Sequence, residues 1–395
     1  MNILYVSQQD LKFTGGIYSD LINELIHRGH SVTLCCADSK YTKSEMQESP
    51  IKKLQIKVPN QFGVSFIKKG LILLRLEGLM RREIKRYLAE DQFDLVLYAT
   101  PPITFVNVVK YCKRVYGCRS YLMLKDIFPQ NAVDLKLMSK KGITGLLYRW
   151  FRKKEKQLYQ YSDKIGCMSE ANIQYVLKHN PEIAKEKVEL FPNAIKWKYA
   201  SNDKDCKSFD FSKYGIPEGK VLFVYGGNLG KPQGLSFLVK SIKECAEVEE
   251  AYFVIVGKGS ELGKVKQALQ TAQNAVVIDA LPKSEYEQLC GQCDVGMVAL
   301  DYRFTIPNYP SRMLSYFQNG MPIFACTDTS SDVKELVTTQ AECGRWCASN
   351  DTAAFKREVQ WFVSHKDELK ALGQNGKNYA MEHFNIENTV EKLEK

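Results

Sequence analysis

A chain of 395 residues, 45% hydrophobic and 25% charged, is long enough for two domains with separate cores and is unlike disordered or fibrous sequences. No apolar run nears the roughly 18 residues of a membrane helix, and the opening MNILYVSQQD enters a strand without a charged-then-apolar leader, so an unsecreted chain with its 12 cysteines reduced is expected. The net charge of +10 concentrates in 61–90 and 136–156, where Phe62, Phe66, Ile67, Leu71 and Trp150 stand among Lys and Arg; with no nucleic-acid module present, this pattern points to an anionic membrane surface and not to nucleic acid.

A short strand is expected over 3–6, followed by a loop over 7–16 that ends in Gly15-Gly16. Ile17, Leu21, Ile22, Leu25 and Ile26 then mark one face of a helix that closes at Arg28-Gly29, before a strand over 30–36. Strand, Gly-rich loop, helix and strand are how a nucleotide-binding α/β domain begins. The loop lacks G-x-G-x-x-G and the P-loop Lys, which argues against a dinucleotide or ATP site. Strands over 54–58, 94–98, 119–123, 164–167 and 188–191 alternate with helical stretches, the pattern of a mostly parallel sheet covered on both faces. Thr100-Pro101-Pro102 forces a non-helical exit after the strand over 94–98. Asp126 follows the strand over 119–123, at the carboxyl end where open sheets bind ligands; a turn cap is its alternative role.

The polar run 200–220 reads as a linker. Its Asp203-Lys204-Asp205 lies away from any strand end, and Cys290-x-x-Cys293 lacks a second pair, so no metal site is expected. A strand over 221–225 runs into Gly226-Gly227-Asn228-Leu229-Gly230-Lys231-Pro232-Gln233-Gly234, ahead of a helix bearing Phe237, Leu238 and Ile242. Amides of such a loop suit a diphosphate, with Lys231 neutralising charge. Strands over 252–256, 276–278 and 295–298 continue the repeat, with Gly257-Lys258-Gly259 and Leu281-Pro282 at strand ends. A helix is expected from about 310 to 318, stopped by Asn319-Gly320, then a strand over 322–325 and a turn into a helix at Ser330-Ser331-Asp332. Arg312 adds a forked cation to the positive helix end, although an ordinary strand–helix repeat with a surface Arg reads equally well. Helices over 352–362, 368–383 and 385–394 close the chain.

Residues 309–325, YPSRMLSYFQNGMPIFA, resemble the donor-binding segment of retaining glycosyltransferases of the two-Rossmann GT-B fold, closest to the family-4 type of bacterial capsule and O-antigen synthesis. That pattern runs P-S-K/R-x-x-E-Y-x-A-x-G-x-P-V-I-A. Pro310, Ser311, Arg312, Tyr316, Gly320 and Pro322 match it, while Ser315 replaces the usual ribose-holding Glu and Pro307 the first Glu of E-x7-E. The Gly-Gly loop with RGHSVTL, the string KDIFPQNAVDL, Phe191-Pro192-Asn193-Ala194 (similar to P-N-G-V) and the 227–234 loop carry the resemblance along nearly the whole chain.

The resemblance implies an α/β GT-B fold of two Rossmann-like domains facing across a cleft. An acceptor-binding domain over 1–198, a linker over 199–219, a nucleotide-sugar domain over 220–375 and a helix over 376–395 returning to the first domain are implied with it. It implies metal-independent, cofactor-free transfer, with retention, of an N-acetylhexosamine or related sugar from a UDP-sugar to a lipid-linked saccharide. The setting would be capsule, O-antigen or exopolysaccharide synthesis on the inner face of the cell membrane. Asp126, Lys231 and Arg312 would be catalytic. Gly15, Gly16, Gly227, Asn228, Gly230, Lys258, Leu281, Pro310, Ser311 and Ser315 would hold the donor, and Thr100, Pro101, Pro102 and Asn131 the acceptor. A non-hydrolysing UDP-sugar 2-epimerase, a catalytically silent sugar-nucleotide-binding subunit and an RNA-binding protein are the alternatives.

Overall fold

A computed structural model describes residues 1–11, 16–48, 51–59, 66–197 and 208–395, with the backbone alone for 66–74. Gly15, Phe62, the Asp203-Lys204-Asp205 run and the side chains of Phe66, Ile67, Lys68, Lys69 and Leu71 therefore lie outside what is described. The chain forms two compact units, Met1–Lys196 together with Ile386–Lys395, and Trp197–Asn385.

The first unit is built on β1 (Asn2–Ser7), β2 (Ser31–Asp38), β3 (Glu45–Gln47), β4 (Lys53–Lys57), β5 (Leu95–Ala99), β6 (Arg119–Leu124), β7 (Lys164–Cys167) and β8 (Val188–Leu190). Their order is β3-β4-β2-β1-β5-β6-β7-β8. All neighbours are parallel except the β3–β4 pair. The central strands are apolar at nearly every position because helices cover both faces. From β1 the chain winds one way to β2 and β4, then returns to β1's other side and winds outward through β5 to β8. The loops after β1 and β5 thus part in opposite directions, which opens a crevice at the carboxyl edge.

The C-terminal helix Ile386–Glu394 belongs to this unit. Its Ile386, Val390 and Leu393 share a core with Leu21, Ile22 and Leu25 of the helix Ile17–His27. The Ile386 amide donates to the Ile195 carbonyl at 3.0 Å, Lys392 Nζ to the Leu190 carbonyl at 2.6 Å, and Arg28 Nη1 meets Glu394 at 3.0 Å.

The second unit holds β9 (Val221–Asn228), β10 (Ala251–Lys258), β11 (Ala275–Asp279), β12 (Val295–Ala299), β13 (Ile323–Thr327) and β14 (Gly344–Ala348), all parallel in the order β11-β10-β9-β12-β13-β14. Phe223, Phe253, Phe324, Phe355 and Phe362 pack against one another in its core. The strand order reverses between β9 and β12, which pair only at Val295 with Phe223 and Gly296 with Val224. Beyond that point the two strands separate. The hydroxyl of Tyr316, from the helix Met313–Gln318, sits in the gap, 3.2 Å from the Val224 carbonyl, 3.1 Å from that of Met297 and 3.4 Å from the Gly226 nitrogen. It satisfies ladder groups that the parting strands leave unpaired. A Cβ at Gly296 would come within 2.4 Å of the Tyr316 ring, so a side chain is excluded there.

The helix expected from about 310 begins at Met313. Pro310, Ser311 and Arg312 precede it in a tighter turn, with the Met313, Leu314 and Ser315 amides donating to the carbonyls three residues before them.

Candidate active site

Each unit's reversal point carries some of the residues that the sequence singles out. In the second unit, β9 ends with Gly227 and Asn228 and runs into the loop that carries Gly230. Gly227 has φ 121°, a conformation open to glycine, and its α-carbon faces the Arg312 guanidinium: a Cβ there would lie 3.8 Å from Nη2. Backbone approach is close throughout, for a Cβ at Gly257 would fall 2.0 Å from the Gly227 carbonyl oxygen, and one at Gly259 2.3 Å from that of Leu229. The Gly230 amide donates to Gln233 Oε1 at 3.3 Å. The Asp301 amide donates to the Pro232 carbonyl at 2.9 Å, which fastens this loop to the one after β12.

Arg312 lies over the Tyr225 ring, its guanidinium carbon 4.2 Å from the centroid. Burial opposes its charge, but the Tyr225 and Tyr316 oxygens more than offset this and hold its pKa above the ordinary value. Buried Nη1 finds no acceptor within the protein, and neither does Nδ2 of Asn308, four residues earlier in the chain. A fixed cation with a spare donor, beside a glycine loop, can hold a phosphate oxygen. Lys231, in contrast, is exposed at the start of the turn Lys231–Gln233. Lys258 and Ser311 are also exposed, and Leu281 and Pro310 are half-buried. Ser315 is half-buried near Cys290, whose thiol burial pushes up to about 11.

In the first unit, Thr100 at the end of β5 is buried. Its hydroxyl donates to the Asp126 carbonyl at 3.1 Å and accepts from the Lys125 and Asp126 amides at 3.1 and 3.3 Å. Thr100 thereby fixes the exit of β6, and Pro101 and Pro102 carry the chain away from it. The Asn131 amide nitrogen donates to Asp126 Oδ1 at 3.0 Å, while buried Asn131 Oδ1 has no partner in the protein. Burial pushes the Asp126 carboxyl up to about 6, despite the Asn131 and Ile127 hydrogen bonds, and Asp126 in turn helps burial to raise the Tyr18 phenol to about 12. Gly16, with φ 126°, opens the helix Ile17–His27 beside them.

Two family patterns match the chain, "Glycosyltransferase Family 4" over residues 18–196 and "Glycosyl transferases group 1" over residues 207–379. Between them they take in both units. The chain is a family-4-type GT-B glycosyltransferase. It is 23% identical over 307 residues to a probable glycosyltransferase, WbjE, of Pseudomonas aeruginosa, spanning 76% of this chain and 73% of that protein. A putative colanic acid biosynthesis glycosyl transferase of Escherichia coli K12, WcaI, is 20% identical over 66% of this chain and 64% of that one. The structure of Anabaena HepE in complex with UDP and glucose superposes with a TM-score of 0.69 at 14% identity, over 100% of this chain and 98% of that one.

Three residues of this glycosyltransferase become visible at its carboxyl edges only through the structure. Asn308 is invisible to pattern reading because nothing in N-Y-P-S-R marks its donor as buried. Lys125 precedes Asp126 but turns the other way, its Nζ 3.4 Å from the Phe191 carbonyl, and burial brings its pKa down to about 7. Asp328, after β13, accepts from the Ser330 and Ser331 amides at 2.8 and 2.9 Å, and burial raises it to about 6. Among the described residues the glycosyltransferase has no cluster of His, Cys, Asp or Glu able to hold a metal ion, and Cys290 and Cys293 are buried free thiols. No described helix is long and apolar enough to cross a membrane.

Proposed function

We propose that this glycosyltransferase moves a sugar, an N-acetylhexosamine or a close relative, from a UDP-sugar to a lipid-linked saccharide, with retention and without a metal ion, in bacterial polysaccharide synthesis. The observation that carries the reading is Arg312, a half-buried cation held over Tyr225 with its buried Nη1 unpaired beside the glycine loop. As the glycosidic bond breaks, negative charge grows on the leaving diphosphate. A cation already fixed in a poorly hydrated site stabilises that charge without reorganising, which is where most of the barrier reduction arises. HepE, of the same fold, is seen with UDP and glucose, and WcaI is ascribed to colanic acid biosynthesis; both support the donor and pathway classes. On the acceptor side, Asp126 is largely ionised at neutral pH, and Asn131 orients it to accept a hydrogen bond from the attacking hydroxyl.

A sugar-nucleotide-binding subunit without turnover is the second reading, favoured by Ser315, which stands where the motif has its ribose-holding Glu. A panel of UDP-sugars, assayed for UDP release with and without a lipid-linked acceptor and with excess chelator, tests the proposal. Acceptor-dependent release that survives the chelator is expected. UDP binding without release would favour the silent subunit, and acceptor-independent conversion of the UDP-sugar would favour an epimerase.

A further inference from the structure

We infer that the tip formed by residues 136–147 of the first unit inserts into an anionic bilayer, with the basic side chains around it meeting lipid headgroups. Ile143 is 89% exposed, Leu146 62%, Leu137 44% and Leu147 36%. Ile143, Leu146 and Leu147 stand at i, i+3 and i+4 of the helix Gly142–Tyr161, so they share one face, and Leu137 adds to it from the preceding loop. The other exposed large hydrophobics among the described residues, Ile26, Val115, Tyr161 and Tyr302, are scattered through the sequence. A scattered apolar side chain is ordinary, but a cluster on a helix end calls for a partner.

The tip is built rather than loose. Lys136 and Gly142 adopt φ 57° and 65°. The Ser139 amide donates to Thr144 Oγ1 at 3.2 Å and the Lys141 amide to Ser139 Oγ at 3.1 Å. Leu135 and Met138 anchor it from below. Gly145 lets the loop fold onto the first helical turn, since a Cβ there would lie 2.6 Å from the Lys140 carbonyl oxygen. Folding therefore holds Leu137 and Ile143 outward, against the usual tendency of such side chains to bury.

Charge selects the occupant. Lys136, Lys140, Lys141, Arg149 and Lys153 are exposed around the apolar face, and no acidic residue occurs between Asp134 and Glu155. An apolar wedge ringed by cations alone suits an interface with acyl chains beneath and phosphates above. The inference rests on the proposed acceptor in one respect, its confinement to a bilayer that the enzyme must reach.

Flotation of the full chain with phosphatidylcholine vesicles, with and without phosphatidylglycerol, tests this, alongside calorimetry of UDP binding as a check on folding and on the donor site. Wild-type protein is expected to float only with the anionic vesicles and less as salt rises. Joint Ile143→Ser, Leu146→Ser and Leu147→Ser changes should lower the bound fraction about tenfold or more. Joint Lys140→Gln, Lys141→Gln and Lys153→Gln changes should weaken binding and flatten its salt dependence, with UDP affinity unchanged in both variants. Wild-type protein that stays soluble overturns the inference, as does undiminished flotation of the serine variant. A wild-type dimer that the serine variant converts to monomer would instead make the tip a contact between copies of this chain. Absence of UDP binding in wild-type protein would count against the proposed donor and leave the flotation result to stand by itself.

Discussion

The two carboxyl edges share a topology but differ in chemistry. The second unit's reversal point is lined by glycine backbone and a half-buried cation with a buried spare donor, which suits a diphosphate. The first unit's reversal point holds a half-buried carboxylate, an amide and a hydroxyl already spent on the backbone, which suits neutral sugar hydroxyls. The difference teaches that a doubly wound sheet supplies the crevice, while the residues at the ends of β5 and β6, or of β9 and β12, decide the sign of charge it takes.

Asp126→Asn should break the acceptor side and produce the largest effect, a fall in kcat of about 10³-fold, measured as transfer to a lipid-linked acceptor. Arg312→Ala should come next, with kcat down about 10²-fold or more. Lys231→Ala should cost less, about tenfold, because its exposed charge is screened by water, whereas Arg312 is half-buried with its Nη1 shut away from solvent. Equal losses at the two positions would contradict this ranking.

The pH profile sharpens the contrast. The folded pKa of Asp126 is raised to about 6, so the carboxylate is lost as pH falls through that value. kcat/KM should accordingly rise with pH between about 5 and 7, and a flat profile there would remove Asp126 from the acceptor side. The stability sign is opposite: a raised folded pKa contributes stability at low pH that is lost as pH rises through about 6. Thermal melts above that pH should therefore find Asp126→Asn no less stable than wild type. The smallest effect on chemistry should come from Gly257→Ala, whose Cβ meets the Gly227 carbonyl. It should lower stability by about 1–3 kcal/mol in denaturant titrations while disturbing donor binding only through the loop.

Much of this was legible in the sequence, because long apolar strands alternating with amphipathic helices leave few alternatives to a doubly wound sheet. Asp126 stood out as a carboxylate at a strand end, and Arg312 as a cation at a helix N-terminus after Pro310. β3 and β14 escaped the reading: Glu45–Gln47 is too short to show a period, and Gly344–Ala348 is an edge strand with mostly half-buried residues and no alternation. Tyr316 matched a pattern but gave no hint that its hydroxyl bridges the parting strands.

Calorimetric titration of UDP into wild-type, Arg312→Ala and Asp126→Asn proteins tests the division between the two edges most directly. The account predicts that Arg312→Ala weakens UDP binding by about tenfold or more, the worth of one buried charge-assisted contact, while Asp126→Asn binds UDP as wild type does. Retained affinity in Arg312→Ala, or lost affinity in Asp126→Asn, would contradict it.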